Sequence, residues 1–162
     1  MQKKLIACLA FILAAILLTL CFIFGNSLKG KEESAEQSGF FVDILKPIID
    51  PENNISEEDF DFFLRKAAHF TEFAFLGAEL TLLALALSAL FKKPLCNFLG
   101  YSLFFALIFA VADEFIQSFT GRGSLISDVL IDFSGSTVAF AIVLLIYYCF
   151  KHRKNHLRKV RT

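Results

Sequence analysis

The stretch from Leu5 to Phe24, LIACLAFILAAILLTLCFIF, decides the fold class of this chain. It contains no charged residue, and its length matches the roughly 20 residues that a helix needs to cross the hydrocarbon core of a bilayer. Lys3 and Lys4 precede it, as they would precede the apolar part of a signal peptide. However, such a part usually spans roughly 7–15 residues, and no small-x-small cleavage site follows here. We therefore expect a retained first membrane helix.

Three further apolar segments cover residues 67–91, 95–112 and 129–150. Lys92, Lys93 and Pro94 separate the first two of these, and Pro disfavours helix both at its own position and at the residue before it. The chain has 162 residues, 56% hydrophobic, and a mean hydropathy of +0.62. It is too apolar for an ordinary soluble domain. The sequence therefore predicts an all-α membrane protein with four transmembrane helices.

The basic residues predict the orientation of these helices. One side of the predicted topology carries ten Lys and Arg residues and no acidic residue: Lys3, Lys4, Lys92, Lys93, Lys151, Arg153, Lys154, Arg158, Lys159 and Arg161. Because short cytoplasmic loops carry an excess of Lys and Arg, we expect both termini to be cytoplasmic. The basic tail then anchors the chain to anionic lipid, and we expect the bilayer rather than nucleic acid as its partner.

This topology divides the chain into four segments. They are a tail with the first transmembrane helix (1–24), an extracytoplasmic loop (25–64), a core of helices two to four (65–150) and a basic cytoplasmic tail (151–162).

Within the extracytoplasmic loop, we expect the polar residues 29–38 to be mobile and the apolar residues 40–49 to lie on the bilayer surface. Pro47 and Pro51 are expected to prevent one long helix there. Ser56 and Asp59 have the spacing of a capping box, which predicts that helix two begins near Glu57.

Ionisable residues in the spans are the informative positions, because each costs about 2.5–3.5 kcal/mol at a span centre. At 100° per residue, one stripe of helix two holds Arg65, His69, Glu72 and Glu79. The end of helix three holds Asp113, Glu114 and Gln117, and the following loop places Arg122 between two glycines. Helix four carries Asp128 and Asp132 on a face continued by the small residues Gly135 and Ala139. Except for Glu79, the topology places these ionisable residues at the extracytoplasmic boundary, which predicts a shared site.

Simpler explanations remain open for several of these residues. Lys66 and Glu114 are equally consistent with interfacial charges, and Asp128 with an acid at a helix N-terminus. Arg65, Glu72 and Arg122 are consistent with structural ion pairs. Glu79 is consistent with a protonated group hydrogen-bonded between helices. Asp132 is harder to explain in this way, because it lies one turn inside an apolar span.

The charge balance leaves a metal site open. The predicted site holds five carboxylates against two Arg residues and one His, so the carboxylates must share protons or bind a cation. A divalent metal held by His69 and acids is compatible with this balance, but the spacing is not a specific metal signature. The sequence therefore assigns no cofactor.

Three ordered blocks of the chain resemble the VanZ-like family. Residues 65–73, RKAAHFTEF, are similar to its RKxxHxxEY segment, and residues 112–119, ADEFIQSF, to its ADExxQxF segment. Gly121-Arg122-Gly123-Ser124, followed by residues 128–132 and Gly135, resembles a GR followed by DvxxDxxG. The resemblance covers about residues 27–139. Phe73 stands where the family has Tyr, and Thr120 where it has Pro.

The resemblance implies a bacterial cell-membrane protein with four helices and a link to glycopeptide resistance, teicoplanin in particular. Some relatives carry a phosphotransbutyrylase label. That chemistry is not carried over, because the chain holds no soluble acyl-CoA domain.

Our leading hypothesis is a site that acts on or holds an envelope component, such as a polyprenyl-phosphate intermediate or a lipoglycopeptide. The candidate acid–base residues are His69, Glu72, Asp113 and Asp128. The candidate ligand-binding residues are Arg65, Gln117, Arg122 and Asp132. Asp128 and Asp132 are expected to orient Arg122 or to hold a cation. The alternative is a non-enzymatic membrane scaffold in which these residues only lock the helices together. The sequence decides neither this question nor the oligomeric state.

Overall fold

The computed structural model describes residues 2–123 and 125–160, and this part of the chain forms five α-helices. They are α1 (Gln2–Ser27), α2 (Lys31–Ile49), α3 (Glu57–Phe91), α4 (Cys96–Phe119) and α5 (Ile126–Val160). By length and composition, four of them, α1, α3, α4 and α5, could cross a membrane. The predicted all-α class is therefore confirmed, with four helices that could span a membrane.

The boundaries of α3 follow from its caps. The Ser56 hydroxyl accepts a hydrogen bond from the Asp59 amide at 3.1 Å and donates one to the Asp59 carboxylate at 2.6 Å. The helix begins at Glu57, the residue after the Ser56 cap, as the capping pattern predicts. At the other end, Lys92 takes a left-handed backbone conformation with φ of 52°. Lys92, Lys93 and Pro94, which separate two of the apolar segments in the sequence, lie in the short hairpin between α3 and α4.

The segment between α1 and α3 differs from the prediction. Residues 29–38 were expected to be mobile, but α2 begins at Lys31, with Glu32 and Glu33 in its first turn, where acidic residues favour a helix N-terminus. Pro47 lies within the last turn of α2, where its missing N–H removes only one hydrogen bond. The helix ends before Pro51, because a proline disfavours helical backbone at the preceding residue. Pro51, and not Pro47, therefore limits α2.

Helix α3 is the centre of the bundle, with contacts to α1, α2, α4 and α5, the most extensive of them to α5. Two glycines bring α3 and α5 together. A Cβ atom at Gly77 would lie less than 3.0 Å from the backbone of Ser136, and one at Gly135 would lie less than 3.0 Å from the carbonyl oxygen of Phe70. The predicted close packing at Gly135 is therefore confirmed, and it sets the adjoining turns of the two helices against each other.

Three helix ends meet at one end of the bundle, which we call the polar end: the last residue of α1 (Ser27), the last of α4 (Phe119) and the first of α5 (Ile126). The Thr120 hydroxyl donates a hydrogen bond to the Ser27 carbonyl at 3.2 Å. The Arg122 guanidinium donates one to the Asn26 carbonyl, also at 3.2 Å. These bonds tie the α4–α5 loop to the end of α1.

Candidate functional site

Three helices each contribute one side chain to a buried cluster at the polar end, which we call the His–Asp cluster: His69 of α3, Asp113 of α4 and Asp132 of α5. The imidazole Nδ1 of His69 lies 3.5 Å from Oδ1 of Asp132 and 3.8 Å from Oδ2 of Asp113. Both aspartates are completely buried. One ligating atom from each of the three side chains lies within 4.8 Å of the other two. The structure therefore brings together three residues that the sequence singled out.

Asp113 is held in place by two donors. The Ser27 hydroxyl donates a hydrogen bond to Oδ1, and the Gln117 side-chain amide donates one to Oδ2 at 2.6 Å. Gln117, predicted to bind ligand, is buried and thus orients Asp113 in this structure. Sequence analysis missed Ser27, whose only signal was a hydroxyl just beyond the first span.

Asp132 contrasts with Asp113. Among the described residues, neither of its carboxylate oxygens has a hydrogen-bond partner, and the same is true of Nδ1 of His69. An unpaired buried carboxylate is costly, because it has lost its hydration without a replacement. The His–Asp cluster is therefore short of a donor or a cation on the Asp132 side.

Two glutamates of α3 lie at different depths. Glu72 accepts a hydrogen bond from the Asn26 side chain at 3.4 Å, close to the polar end. Glu79 lies about 10 Å further along the helix. It accepts a hydrogen bond from the Thr19 hydroxyl of α1 at 3.0 Å. The interpretation of Glu79 as a group hydrogen-bonded between helices is thus confirmed.

Asp128 has a different partner from the one we expected. Its carboxylate pairs with the Lys66 ammonium at 2.5 Å, and both side chains are largely buried. Asp128 was expected to orient Arg122, whose guanidinium instead donates to the Asn26 carbonyl. Asp128 therefore does not orient Arg122 in this structure, and Lys66 links α3 to α5. The relative rotation of the two helices decides this pairing, and rotation is not readable from either helix alone.

Glu114 also has a structural role that the sequence left open. It is only 2% exposed, and its Oε2 accepts a hydrogen bond from the Leu125 amide at 3.1 Å. It therefore ties α4 to the start of α5, and the interfacial interpretation is wrong.

In the loop between α4 and α5, Gly121 and Gly123 have φ of 73° and 80°. This left-handed conformation favours glycine on both sides of Arg122. Ser124 of the same motif lies outside the described residues.

Arg65 and Arg122 line two open pockets beside the His–Asp cluster. The pockets have volumes of about 240 and 400 Å³, and they share four lining residues: Ser34, Arg65, His69 and Arg122. Helix α2 contributes Ser34 and so forms part of the wall. Arg65 also pairs with the Asp61 carboxylate at 2.7 Å but keeps 41% of its side chain exposed. Both arginines and His69 thus line both pockets, and we call the two pockets together the arginine pocket.

An apolar groove adjoins the arginine pocket. It lies between α1 and α3, has a volume of about 660 Å³, and is lined by residues such as Leu18, Phe22 and Phe75. The groove and the smaller pocket share Phe22, Leu64, Ala68 and Glu72. A continuous surface therefore runs from apolar side chains on the outside of the bundle to two arginines and a histidine.

The arrangement combines two chemical capacities. Paired guanidinium groups bind phosphate or carboxylate through charge-assisted hydrogen bonds. An imidazole beside carboxylates can exchange protons near neutral pH. Both capacities meet at His69, which lies in the His–Asp cluster and also lines the arginine pocket.

One comparison with known proteins identifies a family. The sequence model of a family described as VanZ/LLP1 matches residues 11–147, which include α2, α3 and α4 in full, most of α1 and α5, and the residues of the polar end. No curated protein matches the chain significantly, and no solved structure does.

Proposed function

The chain belongs to the VanZ/LLP1 family, and on this premise we propose that it is a multi-pass protein of the bacterial cell membrane that holds an anionic amphiphile of the cell envelope at its polar end. The polar end faces the extracytoplasmic side, because the basic termini and the Lys92-Lys93 hairpin lie at the opposite end of the helices. The holding of this amphiphile contributes to glycopeptide resistance, teicoplanin in particular.

The observation that carries the proposal is the continuity between the apolar groove and the arginine pocket. An apolar chain in the groove would bury hydrocarbon against Leu18, Phe22 and Phe75. Its anionic head would then reach Arg65 and Arg122 without leaving the interface. This order of surfaces matches a polyprenyl phosphate or a lipoglycopeptide, which share an apolar tail and an anionic head.

The remaining polar residues have distinct roles in this proposal. His69, with Oδ2 of Asp113 at 3.8 Å from its Nδ1, and Glu72, on the wall between pocket and groove, are the candidate acid–base groups next to the bound head group. Asp132 completes the His–Asp cluster. Asp128 acts at a distance, because its carboxylate holds Lys66 at the edge of the larger pocket.

A non-enzymatic scaffold is the competing function, and one set of contacts favours it. Polar side chains join α1 to α4 through Ser27 and Asp113, and α3 to α5 through Lys66 and Asp128. A membrane scaffold needs such bonds between helices, since lipid tails provide no hydrophobic force to hold helices together. In that case, site variants would lose function only as far as they lose folded protein.

Binding to lipid nanodiscs tests the proposal directly. Purified protein is incorporated into nanodiscs containing either a polyprenyl phosphate or the matching neutral polyprenol, and retained lipid is measured by mass spectrometry. We expect the phosphate to be retained, and Arg65→Ala combined with Arg122→Ala to reduce retention at least tenfold. Lys92→Ala, at the opposite end of α3, is the matched control and should retain the phosphate like the wild type. Equal retention of both lipids would contradict the proposal.

Susceptibility to teicoplanin tests the cellular role. The wild type, His69→Ala, Glu72→Gln and Asp113→Asn are expressed in a susceptible Gram-positive host, and folded protein in the membrane is quantified in parallel. We expect the wild type to protect and the variants to lose protection while accumulating normally. Protein levels that fall in step with protection would favour the scaffold instead. A wild type that gives no protection would remove the resistance role and leave the lipid-binding proposal to the nanodisc experiment.

A further inference from the structure

The Asp132 carboxylate is the least satisfied buried group at the polar end. It is completely buried, and among the described residues no donor reaches either of its oxygens. The nearest basic nitrogen, Nδ1 of His69, likewise has no hydrogen-bond partner. Two such groups face each other at 3.5 Å, which exceeds the 2.7–3.2 Å of a good N–H···O hydrogen bond. The contact therefore lacks the geometry of a direct hydrogen bond.

The same distances suit a bound cation. Zinc ligands lie about 2.0–2.2 Å from the metal, so tetrahedral geometry separates two ligand atoms by roughly 3.3–3.6 Å. Nδ1 of His69 is 3.5 Å from Oδ1 of Asp132, and 3.8 Å from Oδ2 of Asp113. The second distance has to shorten by a few tenths of an ångström, and the two carboxylate ligand atoms, which lie within 4.8 Å of each other, have to approach by about an ångström at most. The three side chains are therefore spaced as ligands of one ion would be.

Asp113 has the support that a ligating carboxylate needs. Carboxylate ligands are usually oriented by outer hydrogen bonds, and Asp113 receives two, from Ser27 and Gln117. Its Oδ2 accepts one hydrogen bond and keeps a second lone pair for a metal. The donors thus hold the carboxylate in place without using up its capacity to bind.

The charges around the cluster also leave room for a cation. Each nearby basic side chain has another partner: Lys66 pairs with Asp128, Arg65 with Asp61, and Arg122 with the Asn26 carbonyl. Two buried carboxylates therefore face one imidazole, and a divalent ion would neutralise both.

We propose that His69, Asp113 and Asp132 form a binding site for one divalent transition-metal ion. One imidazole nitrogen with two carboxylate oxygens is a donor set that Zn²⁺ and Mn²⁺ accept. His69 also lines the arginine pocket, so the ion lies next to that space and leaves a coordination position for an oxygen of the anionic head group. This role towards the head group rests on the proposed function, whereas the metal site itself does not. Because His69 and Asp113 bind the metal in this proposal, Glu72 is the acid–base group that remains at the site.

The test measures metal binding without lipid ligand. His152 and His156 are spaced i, i+4 and could bind metal by themselves, so the background protein carries His152→Gln and His156→Gln and no affinity tag. Mn²⁺ is titrated into this protein in nanodiscs, binding is followed by electron paramagnetic resonance, and Zn²⁺ is used as competitor. We expect one Mn²⁺ per chain, displaced by Zn²⁺, with electron spin-echo modulation from one imidazole nitrogen.

Variants of the ligands provide the second comparison. We expect Asp132→Asn to weaken Mn²⁺ binding at least tenfold and His69→Gln to abolish the nitrogen modulation. Glu79→Gln, a carboxylate change on the same helix outside the cluster, should bind like the background. The inference is overturned if the background protein binds neither ion, or if Mn²⁺ binds without nitrogen modulation. The modulation in the folded background decides the matter even where a ligand variant does not fold. Loss of polyprenyl-phosphate retention with intact Mn²⁺ binding would reject the proposed function alone.

Discussion

Gly135 of α5 lies directly against the main-chain carbonyl of Phe70 in α3, and this contact adjoins the point where Asp132 meets His69. Phe70 follows His69 in sequence, and Asp132 precedes Gly135 by about one turn. The close approach of the two helix backbones therefore also brings Asp132 next to His69. The Gly77–Ser136 contact, two turns further along α3, continues the same close approach.

Replacement of Gly135 by alanine should destabilise the protein. The new Cβ would lie less than 3.0 Å from a backbone oxygen, so the helices would have to separate. We expect a loss of about 1–3 kcal/mol in the free energy of unfolding, measured in mixed micelles. Gly100→Ala is the control, since a Cβ there meets nothing within 4 Å. In the interior of α4 it should stabilise by roughly 0.5–1 kcal/mol. Equal effects at the two positions would contradict the role of Gly135.

Removal of the Ser27 hydroxyl should affect Asp113. Ser27→Ala deletes a buried donor to a completely buried carboxylate, which should cost about 1–3 kcal/mol of unfolding free energy. The matched control is Ser118→Ala, because Ser118 is exposed and its hydroxyl bonds only to the Phe115 carbonyl of its own helix. The control should change stability by no more than about 0.5 kcal/mol. A Ser27→Ala protein as stable as the control would show that the Ser27–Asp113 bond contributes little.

A double-mutant cycle should distinguish the two ion pairs of α3. The Lys66–Asp128 pair joins two helices and is 21% and 16% exposed, so we expect a coupling free energy of about 0.5–3 kcal/mol from Lys66→Met and Asp128→Asn. The Arg65–Asp61 pair lies within one helix and is 41% and 24% exposed, and should give roughly 0.3–0.5 kcal/mol. Added salt should weaken the second coupling more than the first. The opposite order would mean that Lys66 and Asp128 do not link α3 to α5.

The turn after α2 should lose a stabilising interaction in acid. The Asp50 carboxylate accepts hydrogen bonds from the amides of Ile55 at 2.8 Å and Asn54 at 2.9 Å, and these bonds lower the pKa of Asp50 below 3.8. Since the folded-state pKa is depressed, the stabilisation is present above pH 3.8 and is lost as the pH falls through the lower folded value. Amide chemical shifts of Asn54 and Ile55 should therefore titrate with a midpoint below 3.8. Asp50→Asn should abolish that titration, and a midpoint at or above 3.8 would contradict the prediction.

Much of the fold was predictable because the relevant signals are local. The run from Leu5 to Phe24 predicts a span from length and hydropathy alone, and Ser56 with Asp59 predicts the start of α3 from four consecutive residues. Helix α2 was missed because its polar half lacks the apolar periodicity that indicates a packed helix. It forms through contacts with α3, and such contacts have no local signature.

The sequence predicted which residues gather in the candidate site, but it did not predict which side chains bond to one another. Rare ionisable residues in apolar spans marked His69, Asp113 and Asp132, and the structure places them together. Their neighbours were assigned less well: Ser27 was overlooked, and for Glu114 and Lys66 an interfacial position was left open. Each of these forms a hydrogen bond or an ion pair with another segment at the polar end.

The sequence by itself determined the helices that could span the membrane, the helix faces that carry charge, and the end of the bundle where those charges gather. These follow from hydropathy and the 100° helical repeat, which are properties of contiguous residues. Tertiary structure alone decided that Lys66, and not Arg122, neutralises Asp128 across 62 positions, and that Ser27 fixes Asp113 across 86. Such pairings depend on the rotation and separation of packed helices, which Gly77 and Gly135 set by allowing the backbones of α3 and α5 to touch.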